Sequence, residues 1–183
     1  MELMPPGLKL LPPIAYASSV DVPPPYPSRF EAAGNSVDLI RPEHGLWCSP
    51  VTAWSVDGAP TRTAWTDWLA TPDEVTGQGS AYRGTYTRII TVEPLPEARI
   101  YLIDTADDLN RLVAAFPLPP DRPMRRAAPD WEAMAAAGWD AVYAPAAGIA
   151  ANEHRHPMAG PSLARWDCPS VLWLHPTCQL PIP

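Results

Sequence analysis

Hydrophobic and polar positions alternate most clearly over 85–92, Thr-Tyr-Thr-Arg-Ile-Ile-Thr-Val, a run rich in β-branched and aromatic residues that predicts a strand. Residues 99–103 follow after a proline-marked turn and predict a partner strand for it. Shorter strands are expected over 36–40, 45–48, 140–143 and 170–174. Helical spacing replaces alternation at Leu109, Leu112, Val113 and Phe116. Thr105 is placed there to cap the helix, and Asp107 and Asp108 to meet the positive end of its dipole. Residues 61–69, with Thr61 or Thr63 as cap, and 130–137 predict two more short helices. The elements are mixed without regular strand–helix alternation, so the expected fold class is α+β: mixed or antiparallel sheets with a few short helices.

Proline punctuates this pattern. Eight of the 26 prolines fall before residue 30 (Pro5, Pro6, Pro12, Pro13, Pro23, Pro24, Pro25 and Pro27). Such backbone lacks amide donors and favours extended conformations. Residues 1–34 are therefore expected to form a proline-rich arm across a single domain of 35–183, or to serve as a ligand for a proline-reading module. The stretch 117–129, with Arg122, Arg125 and Arg126, reads as an exposed loop.

Composition narrows the function classes. Hydrophobic residues make up 46% of the 183, enough for a core, and thirteen Lys and Arg against twenty Asp and Glu give a charge of −7. That balance works against a general nucleic-acid coat and against docking on an anionic membrane. No run of about 18 apolar residues is present to predict a transmembrane helix. The apolar stretch 10–16 and the triplet Ala15-Tyr16-Ala17 resemble a secretory cleavage region. Glu2 and Pro12-Pro13 depart from that pattern, however, and three irregularly spaced cysteines, Cys48, Cys168 and Cys178, fit a reducing compartment; a cytoplasmic location is expected.

Candidate chemistry begins with the aromatics. Eight Trp stand against two Phe, and flat amphipathic rings suit either a core or a pocket that stacks a ring and hydrogen-bonds its edge. His154, His156, His175 and the cysteines match no zinc spacing, so no metal site is assigned. His44 and Cys48 raise a thiol-nucleophile reading, although four residues apart on a strand and turn they need not face each other. The chain has no Gly-rich phosphate loop, no Gly-x-Ser-x-Gly elbow and no His-Glu-x-x-His.

Three segments in order say more. Residues 41–50 (Arg-Pro-Glu-His-Gly-Leu-Trp-Cys-Ser-Pro) precede Thr63-Ala64-Trp65-Thr66-Asp67-Trp68. Residues 99–104 with Asp107-Asp108-Leu109 precede 130–134 and Gly138-Trp139-Asp140-Ala141-Val142-Tyr143. Residues 166–173 (Trp-Asp-Cys-Pro-Ser-Val-Leu-Trp) close the series. In this order the chain, over roughly 36–175, resembles small bacterial and phage-type ADP-ribosyltransferase-like domains, some of which act as toxins. The resemblance implies an ADP-ribosyltransferase-like fold and an NAD-consuming glycosyltransferase. Such an enzyme cleaves the nicotinamide–ribose bond and passes ADP-ribose to a macromolecular acceptor, here a protein rather than a nucleic acid.

The same resemblance implies roles. Main-chain groups of Gly45 and Leu46 would pair with the carboxamide and Ser49 would add a hydroxyl contact. Trp47 or Tyr82 would stack on the ring, with Trp65 from the same first segment also at the site, and His44 would approach the ribose. Arg41 or Arg83 would meet the pyrophosphate, since a guanidinium fork suits phosphate oxygens. Asp167 would be the catalytic carboxylate, favouring positive charge on the ribose. The family places a glutamate near the late strand, and two positions after Asp167 this chain has Pro169. A non-catalytic ligand- or protein-binding domain that keeps the fold is therefore the alternative function, and Asp167 then caps a turn or pairs with Arg165. Glu132 is a further carboxylate, explained without function by its place in the first turn of a helix.

Overall fold

The computed structural model describes residues 11–19, 30–35, 42, 44–71, 86–122, 127–152, 154, 156 and 160–179. The expected strand at 36–40 lies outside them, as do Arg41, Glu43, Tyr82, Arg83, Arg125 and Arg126. Among the described residues, eight strands and four helices make one mixed α+β domain: β1 (Ile14–Ser19), β2 (Leu46–Trp54), β3 (Pro60–Thr63), α1 (Ala64–Ala70), β4 (Tyr86–Pro94), β5 (Ile100–Leu102), α2 (Ala106–Ala115), α3 (Trp131–Ala136), β6 (Ala141–Ala144), α4 (Ala146–Asn152), β7 (Ser170–Trp173) and β8 (Cys178–Gln179).

The sheet runs in the order β5-β6-β7-β2-β1-β4-β8, with β3 also on β2. β5 and β6 are parallel, and the crossover such a pair requires is made by α2 and α3; the other pairs are antiparallel. β2 is shared along its length. Leu46, Trp47 and Cys48 pair with β7, Ser49 and Pro50 with β1, and Val51, Ala53 and Trp54 with β3.

The period-two alternation of strands divides the core into two layers. Val142, Ala144, Leu172 and Leu174 join Leu109, Leu112 and Val113 of α2 and Trp131 and Met134 of α3. Ala141, Tyr143, Val171 and Trp173 project into the other layer with Ile14, Leu46 and Val92. β6 and β7 are buried throughout, as strands covered on both faces must be.

Several expectations change. The segment expected as an arm supplies β1, a central strand paired on both sides, with Ile14 and Ala15 fully buried. Its prolines flank the strand, and the alternating interior of 14–19 is free to make ladder bonds. β4 and β5 do not pair with each other: β4 joins β1 and β8, and β5 joins β6. Turn signals mark a bend, and burial decides which strand comes next to which. Thr63 caps α1 through a reciprocal box with Thr66, whereas Thr61 belongs to β3. Thr105 and Asp108 form the same box on α2. In the 117–129 stretch, Ala127 and Ala128 are buried, and the Ser162 N–H donates to the Ala127 carbonyl at 3.0 Å. β8 and α4 were not anticipated, because a two-residue strand and an alanine-rich turn of helix carry little pattern.

α4 lies unusually close to the chain just after β5. A Cβ built on Gly148 would stand 1.8 Å from the Ile103 carbonyl oxygen, so only glycine lets the helix backbone approach there. Gly148→Ala is expected to lower stability by about 2 kcal/mol or more, since backbone must shift to make room. Gly58→Ala, which meets nothing within 4 Å but sits at a φ of 82°, should lose about 1 kcal/mol from the backbone alone. Urea unfolding midpoints of the two variants would test this, and equal losses would contradict the close approach.

Candidate functional site

One cavity of about 170 Å³ is lined by Ala15, Tyr16 and Ala17 of β1, Trp47, Cys48 and Ser49 of β2, Trp65 of α1, Tyr86 of β4, and the segment Arg165 to Cys168 with Ser170. It lies where β2 passes from β7 to β1, so three chain regions far apart in sequence meet around it.

Trp166 anchors the segment before β7. Its ring lies edge-on to Trp47, centroids 4.8 Å apart, and stacks at 6.2 Å on Trp131. Its main-chain N–H closes a turn onto Leu163 at 2.8 Å. Trp166 is buried, whereas Arg165 and Asp167 on either side of it are exposed at the cavity. Asp167 makes no hydrogen bond or ion pair among the described residues, with Arg165 or any other. The turn-cap and ion-pair roles considered for it are therefore not realised there.

The opposite wall is built from α1. Ser49, buried on β2, accepts a hydrogen bond at 3.2 Å from the Trp65 N–H, one of the donors that a helix start leaves without an internal partner. This fixes α1 on the strand and turns Trp65 toward the cavity, stacked on Trp68 at 5.0 Å and edge-on to Tyr86 at 5.9 Å. The Ser49 O–H has no acceptor among the described residues, so it can donate to a ligand.

Of the residues implicated from sequence, Trp47, Ser49, Trp65 and Asp167 line the cavity. His44, Gly45 and Leu46 do not. His44, at φ 59°, pairs with Glu31 through Nδ1 at 2.7 Å. The Gly45 N–H donates to the Glu31 carbonyl at 2.9 Å, and its left-handed φ of 73° and the contact a Cβ would make with the Trp173 carbonyl at 2.8 Å account for the glycine by packing. The Leu46 side chain is buried in the core. The Gly45 amide is thus engaged within the chain. Glu132 holds the 30–35 segment, accepting from the Asn35 N–H at 3.1 Å, away from the cavity lining. Sequence reading missed Tyr16, Tyr86 and Arg165. The first lay inside the presumed arm, and Arg165 was weighed only as a partner for Asp167.

The thiol-nucleophile reading of Cys48 gains no support. Its burial, reinforced by nearby Cys178, pushes the thiol well above the usual range, and His44 is tied to Glu31. Cys178 is pushed up to about 12 by burial. Burial, with Cys48 and Tyr86 nearby, also raises the Tyr16 phenol. Among the described residues no three His, Cys, Asp or Glu side chains gather to hold a metal, and no helix is long and apolar enough to cross a membrane.

Chemically the cavity offers aromatic walls, the Ser49 hydroxyl, and the Arg165 guanidinium and Asp167 carboxylate at its edge. Apolar voids of about 150 Å³ accept a single six-membered ring, so this cavity has about the volume of one ring.

The raised thiols imply a pH dependence. An unfolded thiol ionises near pH 9, while the folded thiols keep their protons, so their contribution to stability is complete below pH 9 and is lost as pH rises from there toward 12. The urea midpoint should fall between pH 9 and 10. It should fall less steeply in Cys48→Ala/Cys178→Ala, which removes these two thiols and keeps the raised phenols of Tyr16, Tyr101 and Tyr143. Comparison of the chain with protein-family models, curated proteins and solved structures returns no match.

Proposed function

We propose that the protein is an NAD-dependent ADP-ribosyltransferase that cleaves the nicotinamide–ribose bond and transfers ADP-ribose to a macromolecular acceptor. The observation that carries this reading is the meeting of Trp47, Ser49, Trp65 and Asp167, drawn from segments more than 100 residues apart, around one ring-sized cavity. The positively charged pyridinium ring of NAD is suited to electron-rich aromatic faces. Trp47 and Trp65 would hold the ring and the Ser49 O–H would donate to its carboxamide oxygen. As the C–N bond breaks, its electron pair goes to the leaving nicotinamide, which becomes neutral, and positive charge builds on the ribose. The Asp167 carboxylate, which makes no ion pair among the described residues, would favour that charge. A nucleophile of the acceptor then bonds to the ribose carbon and releases its proton to solvent. With a charge of −7, the protein fits a protein acceptor better than a nucleic acid.

Pro169, at the place of the family glutamate, favours the second reading, a domain that binds the same ligand without turning it over. Aspartate is one methylene shorter than glutamate, so the ribose must come closer to Asp167 for catalysis.

Nicotinamide release from NAD, with cell lysate as acceptor, separates the two. The wild type should release nicotinamide, and Asp167→Ala should lower kcat by about 10²- to 10³-fold, as the loss of one charge-stabilising group does elsewhere. Trp65→Ala should raise KM more than it lowers kcat. Binding of NAD without release would establish the non-catalytic reading, and absence of both would refute the two together.

A further inference from the structure

Among the described residues, no partner of the Arg165 side chain gives it a role in the fold. It is exposed, lines the cavity beside Asp167, and makes no hydrogen bond or ion pair among the described residues. Its backbone nevertheless holds a φ of 85°, a region costly for a residue with a Cβ and usually left to glycine. The main chain around it is tightly determined: Leu163 is buried, the Ala164 N–H donates to the Ser162 hydroxyl at 3.1 Å, and the Trp166 N–H donates to Leu163. Glycine would satisfy this turn with less strain. The chain instead keeps a guanidinium at the cavity's edge, one residue from a buried anchor.

The arrangement of charge is specific. Electron-rich rings and Asp167 favour a cationic group, whereas Arg165 at the same opening would repel one. Both are accommodated by a ligand that carries a cationic ring and, beyond it, an anion. Phosphate oxygens match the planar fork of arginine better than any other common anion except a carboxylate.

Building on the ADP-ribosyltransferase reading, we propose that Arg165 binds the phosphate nearest the ribose, so that the cavity selects 5′-phosphorylated pyridinium nucleotides over the unphosphorylated nucleoside. Arg165 is thus a binding and specificity residue, with Asp167 beside it acting on the ribose. The phosphate holds the ribose at the mouth while the ring fills the interior.

The test compares three ligands sharing one cationic ring and one glycosidic bond: NAD, nicotinamide mononucleotide and nicotinamide riboside, which lacks the phosphate. Affinities of the full-length chain are measured by calorimetry, and nicotinamide release is followed in parallel. The wild type should bind NAD and the mononucleotide about tenfold or more tightly than the riboside, the scale of a charge-assisted contact. Arg165→Gln should erase that difference by weakening the two phosphorylated ligands alone, and Arg165→Lys should restore part of it. Arg165→Gly should erase it too while melting no lower than the wild type, since it relieves the turn; this separates loss of binding from loss of folding.

Equal wild-type affinity for all three ligands, or an equal loss of all three in Arg165→Gln, overturns the proposal. If that happens while nicotinamide is still released, the transferase reading stands and the role of Arg165 falls. Phosphate-dependent binding without release leaves Arg165 in place and removes the transferase reading. Failure of all three ligands to bind sinks both.

Discussion

The clamp on Trp166 holds the site together. An indole pressed edge-on against Trp47 and stacked on Trp131 joins a strand, a helix and the segment before β7 at one point. Large aromatic rings bury much area and prefer a few geometries, so such a contact fixes orientation as well as position. With Trp166 inside, its two neighbours have only the cavity's edge to occupy. The same anchor thus sets a carboxylate and a guanidinium at one opening. Ser49 does the corresponding work on the other wall, where its oxygen holds the start of α1 and so aims Trp65.

The use of tryptophan follows from this. Trp131, Trp139 and Trp173 are core residues, Trp166 is buried yet also lines the cavity, and Trp47 and Trp65 are half-buried and line it. A tryptophan in the core and one in a pocket wall look alike in a sequence, since both answer to apolar neighbours. Only the surroundings tell them apart, and those depend on partners that are distant in the chain.

The residues disclosed local structure well and long-range pairing poorly. The Thr105 cap and the apolar stripe behind it led directly to α2, and the alternation at 85–92 led to β4, because each signal is contained within a few residues. What joins β4 was not contained there: its partner is β1, some 70 residues earlier, within a stretch whose prolines suggested no pairing at all. The site divides in the same way. Trp47, Ser49, Trp65 and Asp167 were legible as motif residues. Tyr16 and Tyr86 enter only through the β1–β4 pairing, and Gly45 shows the opposite case, a motif glycine whose need is met by the packing of β2 against β7.

The shared strand β2 also bears on the order in which the molecule can assemble. It is flanked by β1, from the beginning of the described chain, and by β7, from near its end. Contacts between positions so far apart come with a large loop-closure cost, which slows folding relative to domains built from neighbouring hairpins. On the ribosome β1 and β2 emerge before β7, and β2 keeps one edge open until β7 has been made. During that interval an apolar strand edge is exposed to other chains, the condition under which nascent β-rich proteins rely on chaperones.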